Sequence, residues 1–124
     1  MANEITLAIT FQFQNGTISA KSLNLAQRNF SVAGSEFMQG SQTIPTTAGG
    51  TALNLGNVTN PGFTVIKNLD PTNYIQVMSA VSGDILHKIL PGMAVAFYFD
   101  ASHTAPAVIA HTASCQIEYI VCPV

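Results

Sequence analysis

Charged side chains are scarce in this chain: they make up 8% of its 124 residues, against roughly 25% in an ordinary soluble domain. The net charge is -2, and the four basic residues, Lys21, Arg28, Lys67 and Lys88, are scattered along the sequence. Neutralising a nucleic-acid backbone requires clustered cations. We therefore expect no nucleic-acid partner.

Long apolar runs are also missing, although 48% of the residues are hydrophobic and the mean hydropathy is +0.33. A membrane-spanning helix needs about 18 or more successive apolar residues, whereas here the apolar residues alternate with polar ones or stand in short runs. The first residues lack the basic and apolar segments of a secretory signal. These absences predict no membrane partner and assembly in a cytoplasm.

Cysteine is limited to Cys115 and Cys122, which lie seven residues apart in one predicted strand. An extended strand would place them roughly 23 Å apart and on opposite faces, whereas a disulfide requires Cα atoms within about 7 Å. We therefore expect two free thiols. Trp does not occur in the chain, which leaves Phe and Tyr as its large aromatic side chains.

The clearest pattern that is present lies near the N-terminus, where apolar and polar residues alternate over residues 5–14. A period of two places one face of a strand in a core and the other outside. Asn15-Gly16 follows, and this dipeptide favours a tight hairpin turn, so a second strand should fold back from about Thr17. We predict a long hairpin or arm over about residues 3–33.

Short candidate strands separated by Pro, Gly, Asn and Asp fill the rest of the chain, most regularly after residue 60. They cover residues 23–25, 30–32, 37–44, 53–55, 63–69, 74–80, 85–90, 94–99, 107–112 and 116–121. Strands at this spacing are typical of an antiparallel sandwich or jelly roll. We predict an all-β, single-domain antiparallel β-sandwich, jelly-roll-like, over residues 1–124, with a compact sheet region over about 51–122.

The core should contain the apolar residues whose alternation would turn them inward. These are Ile5, Leu7, Ile9, Phe11, Phe13, Phe63, Val65, Leu69, Phe97, Phe99, Ile117 and Tyr119.

Candidate metal-binding or catalytic residues form one polar group. Its members are Asp84, His87, Asp100, His103 and His111. Neutral imidazoles bind zinc or nickel, but ligand spacings such as His-x-His are missing here. Cys115 would stand about 13 Å from His111 in an extended strand, too far for a nucleophile and its base. We expect no catalytic, cofactor-binding or metal-binding residue and no enzyme. The alternative is an enzyme that binds a metal at His87, His103 and His111, which metal analysis would test.

Residues 61–77 contain the run Lys67-Asn68-Leu69-Asp70-Pro71-Thr72-Asn73-Tyr74. After it come a predicted strand that ends at Pro91-Gly92, a further apolar strand, and an aromatic strand around Tyr119. Over roughly residues 60–120, this arrangement resembles that of small all-β structural proteins of tailed bacteriophages. The resemblance implies a virion component, above all a capsid decoration or cement protein on the shell lattice. It carries over no catalytic residue.

A surface with so few charges is more easily kept soluble when other protein covers it, which favours a building block of an assembly. The opening strand would pair with or lie across a neighbour. We therefore expect a non-enzymatic virion structural protein, assembled in the host cytoplasm, that stabilises the head shell by bridging major capsid protein subunits. It would also form a homo-oligomer, with a trimer as one candidate.

The alternative function is a tail, fibre or receptor-binding module that recognises a glycan. Such a module would group aromatic, Asn or Asp side chains in exposed loops, here around residues 70–74 and 100–104. Phe97, Tyr98 and Phe99 are a further aromatic group, although alternation places Phe97 and Phe99 on one face, expected to be the core.

Overall fold

The computed structural model describes residues 5–31, 36–100 and 105–123. Within those ranges every regular element is a β-strand and every pairing is antiparallel. The predicted all-β antiparallel fold is confirmed. The chain divides into two compact units, Met1–Ala33 and Gly34–Val124. Among the described residues, no helix has the length and apolarity that crossing a membrane requires.

The first unit contains a long hairpin of β1 (Ile5–Asn15) and β2 (Ile18–Phe30). The alternation of β1 and the turn after it predict this hairpin correctly. Its tip differs from the prediction by one residue, because Asn15 pairs with Ile18 and leaves Gly16-Thr17 as the connection. The segments 23–25 and 30–31, predicted to lie in further strands, belong to β2 or directly follow it.

The second unit, in its described residues, is built of eight strands. They are β3 (Met38–Ile44), β4 (Thr51–Ala52), β5 (Pro61–Asn68), β6 (Ile75–Met78), β7 (Ile85–Ile89), β8 (Ala94–Tyr98), β9 (Ala107–Ala110) and β10 (Cys115–Pro123). Two four-stranded sheets result, with the orders β3-β10-β5-β8 and β4-β9-β6-β7. The pairing is nested, since the first strand of the eight pairs with the last, the second with the seventh, and so on inward.

One hydrophobic core joins the two sheets. In β10 the inward positions Cys115, Ile117, Tyr119 and Val121 are buried, and the residues between them are more exposed. The full core cluster is Ile44, Leu53, Val58, Ile66, Ile75, Val77, Ile89, Val108, Ala110, Cys115, Ile117, Tyr119 and Val121. Because strands of both sheets contribute to one cluster, the unit is a β-sandwich.

The boundaries of the sandwich differ from the sequence prediction in two places. β3 belongs to it, so the sheets begin before residue 51. The predicted strand at 53–55 does not form, because the short ladder with β9 uses Thr51 and Ala52 instead. Leu53 follows that ladder and buries its side chain in the core. The division of one domain into an arm over 3–33 and a sheet region over 51–122 stays a prediction.

The predicted core is right for part of its residues. Those buried as predicted are Phe63, Phe99, Ile117 and Tyr119. Those only partly buried are Ile5, Leu7, Val65 and Phe97. The prediction is wrong for Ile9, Phe11, Phe13 and Leu69, which are 40% to 54% exposed. Three of these four lie on the two-stranded hairpin, and Leu69 lies just beyond the end of β5.

The turn between β5 and β6 is held by two polar side chains. Buried Asn68 donates from Nδ2 to the carbonyl oxygens of Asn73 (2.8 Å) and Ile89 (3.3 Å). Its Oδ1 accepts the backbone N–H of Asp70 at 3.0 Å. Asp70 Oδ1 in turn accepts the backbone N–H groups of Asn73 and Thr72, which lowers the pKa of this carboxyl below its ordinary value. Residues 69–74 of the motif behind the bacteriophage resemblance are therefore a structural turn between β5 and β6.

Candidate assembly surfaces

The first candidate surface is the apolar face of the hairpin. Directly paired residues of an antiparallel ladder point to the same side of the sheet. The register pairs Ile9 with Leu25 and Phe11 with Leu23, and Phe13 lies two residues beyond Phe11 on the same face. We call Ile9, Phe11, Phe13, Leu23 and Leu25 the hairpin face.

The hairpin face is open to solvent in this structure, because its five side chains are between 38% and 74% exposed. At roughly 200 Å² for a full side chain of this size, they leave on the order of 500 Å² of apolar surface uncovered. The largest exposed apolar patch on a typical monomer measures about 300–600 Å² and is often functional. A two-stranded hairpin by itself is also marginally stable in water. The hairpin face is therefore a candidate contact surface.

Charge on the described hairpin residues is entirely basic. Lys21 pairs with Phe13 near the tip, and Arg28 pairs with Leu7 towards the other end. Residues 5–31 contain no Asp or Glu. The opposite face is polar and uncharged, as where Thr6 Oγ1 donates to Asn29 Oδ1 at 3.1 Å. The hairpin thus combines an apolar centre with a cation at each end.

The second candidate surface follows β7, which lies at the edge of its sheet. Five apolar residues on this strand and the adjoining turns are each 49% to 58% exposed, namely Val81, Ile85, Leu86, Leu90 and Met93. We call them the β7 surface. Edge strands with exposed apolar side chains are sites where other chains pair or pack.

The exposure of the side chains of the β7 surface is explained by the local sequence. Ile85 and Leu86 are consecutive apolar residues, and the β6–β7 ladder shifts register beside them, so both side chains reach solvent. After the strand, the N–H of Met93 donates to the carbonyl of Leu90 at 3.0 Å, and Gly92 adopts a φ of 72°. Glycine tolerates this left-handed conformation without steric cost. The tight turn leaves the side chains of both Leu90 and Met93 exposed.

An aromatic and cationic stack lies on the sheet that contains β7. The rings of Tyr74 and His111 are stacked with centroids 4.6 Å apart, and Lys88 Nζ lies 4.0 Å from the Tyr74 ring centroid. Lys88 is on β7 and His111 follows β9, on either side of β6 in the sheet. They therefore cover opposite faces of Tyr74. A sugar stacking on this ring would have to displace one of them.

Four of the five residues predicted as a candidate metal site lie in the described part of the chain, and there they form no metal-binding group. Asp84 precedes β7, His87 is half-buried on that strand, and exposed His111 follows β9. Asp100 is exposed after β8, and His103 lies outside the described residues, as does most of the second loop considered for glycan binding. Over residues 5–31, 36–100 and 105–123, no three His, Cys, Asp or Glu side chains form a metal-binding group.

Both cysteines are free thiols, as predicted. Cys115 is buried and Cys122 is half-buried, and the alternation of β10 turns them to opposite faces. Burial raises the pKa of both thiols, and at Cys115 the negative charge of Asp70 raises it further. A thiol with a raised pKa is a poor nucleophile at neutral pH.

A shallow depression of about 200 Å³ on the sandwich is lined by Gln39, Val65, Lys67, Glu118, Tyr119 and Ile120. Lys67 and Glu118 are paired positions of β5 and β10. Pockets for small molecules usually measure roughly 300–1,000 Å³. The depression is therefore a weaker candidate than the two apolar surfaces.

Comparison with known proteins gives no match to a family model, a curated protein or a solved structure. The bacteriophage resemblance of residues 60–120 stays a sequence-based prediction.

Sequence reasoning singled out the opening strand as adhesive but missed the β7 surface. The signal was present, because Ile85 and Leu86 interrupt the alternation and Leu90 directly precedes Pro91-Gly92. Apolar residues beside turn residues have fewer neighbours to cover them. The pattern of this segment predicts a strand, but it does not indicate which side chains at the strand ends are exposed.

Proposed function

We propose that this protein is a non-enzymatic virion structural protein, a capsid decoration or cement protein that bridges major capsid protein subunits. The observation that carries the proposal is that one small, charge-poor chain presents two separate exposed apolar surfaces. The hairpin face lies on the first unit and the β7 surface lies on the second. A protein that bridges others needs at least two contact surfaces, and this chain has them.

Repetition on a lattice makes such surfaces effective. Each is small beside a standard protein interface, which buries about 800 Å² on each partner. Many copies on a regular shell multiply weak contacts into strong attachment. Low affinity per contact is therefore compatible with a cementing role.

The connectivity of the sandwich supports the same proposal. We infer from the nested pairing of β3 to β10 that the sandwich is a jelly roll, an architecture found in viral capsid and lectin domains. Architecture alone does not assign function. At residues 70–74, the Tyr74 ring is stacked on His111 and has Lys88 Nζ 4.0 Å from its centroid, which disfavours a stacked sugar at that loop. Glycan recognition there is therefore less favoured than the structural role.

Binding to purified capsid shells of the encoding virus tests the proposal. The full chain should co-sediment with the shells and raise their melting temperature. A variant with Ile85→Asp and Leu86→Asp should lose binding, because it places charge on the β7 surface. Thr59→Asp with Asn60→Asp is the matched control, since these two exposed residues lie in the loop before β5 and add the same number of charges. Failure of the wild-type chain to bind shells, together with its absence from virions by mass spectrometry, would overturn the proposal.

A further inference from the structure

We propose that the hairpin face packs against the same face of a second copy of this chain, so that paired hairpins hold a homo-oligomer together. The inference rests on the proposed function in that it treats the hairpin face as an assembly surface. It goes further by naming the partner. The partner is the chain itself, whereas the β7 surface is the one assigned to the capsid.

The area of the hairpin face fits this partner. Two copies that cover one another's exposed side chains would bury on the order of 1,000 Å² in total, which reaches the lower limit expected of a biological interface and predicts a weak, concentration-dependent association. Two sheets that pack face to face do so at about 10 Å with interdigitated side chains. The hairpin would gain the second layer that a two-stranded sheet lacks. A second copy therefore supplies what the isolated hairpin is missing.

The pattern of the face is self-complementary. Its central rows, Ile9 with Leu25 and Phe11 with Leu23, carry no charge. Lys21 and Arg28 stand at the ends, where long side chains can reach water past an apolar contact. A charge in the central rows would be buried without a partner. The apolar rows and the cations are thus separated as a self-association surface requires.

The charges of the hairpin also predict how salt changes the strength of this contact. The described hairpin residues contain two cations and no carboxylate, so any symmetric pairing brings cation near cation. Screening by salt would relieve that repulsion and strengthen the pairing. The described residues of the sandwich contain five carboxylates, Glu36, Asp70, Asp84, Asp100 and Glu118, but only two basic residues, Lys67 and Lys88. A hairpin bound to the acidic sandwich of another copy would instead be weakened by salt.

The oligomeric state of the purified full chain tests the inference. Sedimentation equilibrium over a range of concentrations should give the mass of a dimer or a larger closed oligomer. Raising the salt concentration from about 0.05 M to about 0.5 M should tighten association. Lys21→Gln should tighten it roughly two- to five-fold at low salt, because one repulsive charge per copy is removed.

Leu23→Asp should weaken association more than about 100-fold, since it puts a carboxylate in the central rows. Leu23 is 74% exposed, so the folded chain should tolerate the change, which circular dichroism would verify. Ser22→Asp is the matched control, because Ser22 is the neighbouring residue on the polar face. It should leave the mass unchanged.

A wild-type chain that is monomeric at every concentration would overturn the inference. So would an oligomer that salt weakens and Leu23→Asp leaves intact, which would place the contact elsewhere. Shell binding is measured separately. An oligomer that binds no shell would refute the proposed function but leave the inference about the hairpin standing. A monomer that binds shells would refute the inference but leave the proposed function standing.

Discussion

Replacing Asn68 by leucine tests how strongly the turn between β5 and β6 depends on one buried amide. Leucine has a similar volume, so the change removes hydrogen bonds without opening a large cavity. Three bonds are lost: those to the carbonyls of Asn73 and Ile89, and the one from the N–H of Asp70. The substitution therefore tests the hydrogen bonds of the Asn68 side chain with little change in packing.

The expected loss of unfolding free energy follows from the surroundings of each bond. The bond to Ile89 is buried, and leaving a buried carbonyl without a partner costs about 1–3 kcal/mol. The bonds to Asn73 and from Asp70 are partly buried, where water can replace the lost partner and each costs about 0.5–1.5 kcal/mol. Burial of the leucine side chain offsets part of this. We expect a net loss of about 2–4 kcal/mol, a large share of the roughly 5–15 kcal/mol of a typical domain.

Urea unfolding followed by fluorescence or circular dichroism measures the difference. The midpoint should fall while the denaturant slope stays constant, because the surface exposed on unfolding is unchanged. Asn73→Ala is the control: its side chain makes an exposed bond to the Thr72 hydroxyl, so its cost should stay within about 0.5 kcal/mol. If Asn68→Leu were within that same margin, the buried amide would contribute nothing and the account of the turn would be wrong.

Two further predictions concern backbone space and pH. Gly83→Ala should cost at least about 2 kcal/mol by thermal unfolding, because its Cβ would meet Ser79 Oγ and lie 2.9 Å from the Ala80 amide nitrogen. Gly92→Ala should cost only about 1 kcal/mol, since its site is open and only the positive φ is unfavourable. Asp70 has a lowered pKa in the folded chain, so it stabilises the fold above its ordinary pKa and less as the pH falls through the folded value. The stability gap between wild type and Asp70→Asn should therefore narrow as the pH falls below the ordinary Asp pKa of about 3.9, and a constant gap would contradict this.

The sequence is sufficient to predict most of the strands and their approximate ends, but not their order in the sheets. Turn residues such as Pro91-Gly92 interrupt the apolar runs and fix where strands stop, which is a local property. The pairing of β3 with β10 joins Ile44 to Cys115, and nothing in either segment specifies the other. The role of Asn68 was equally hidden, because one of its partners, the carbonyl of Ile89, is 21 residues away. Long-range partners are set by the whole fold.

The alternation of β1 predicts that Ile9, Phe11 and Phe13 lie in the core, but the structure leaves all three exposed. This difference shows what alternation can and cannot establish. A period of two says that the faces of a strand differ, and both a buried core and an assembly surface produce that pattern. The decisive signal lies in β2, where Lys21 has the same parity as Leu23 and Leu25. A core face would have to bury that lysine without a partner, which is costly, whereas a contact surface can place it at the rim. The position of a single cation on an apolar face therefore distinguishes an exposed apolar face from a core.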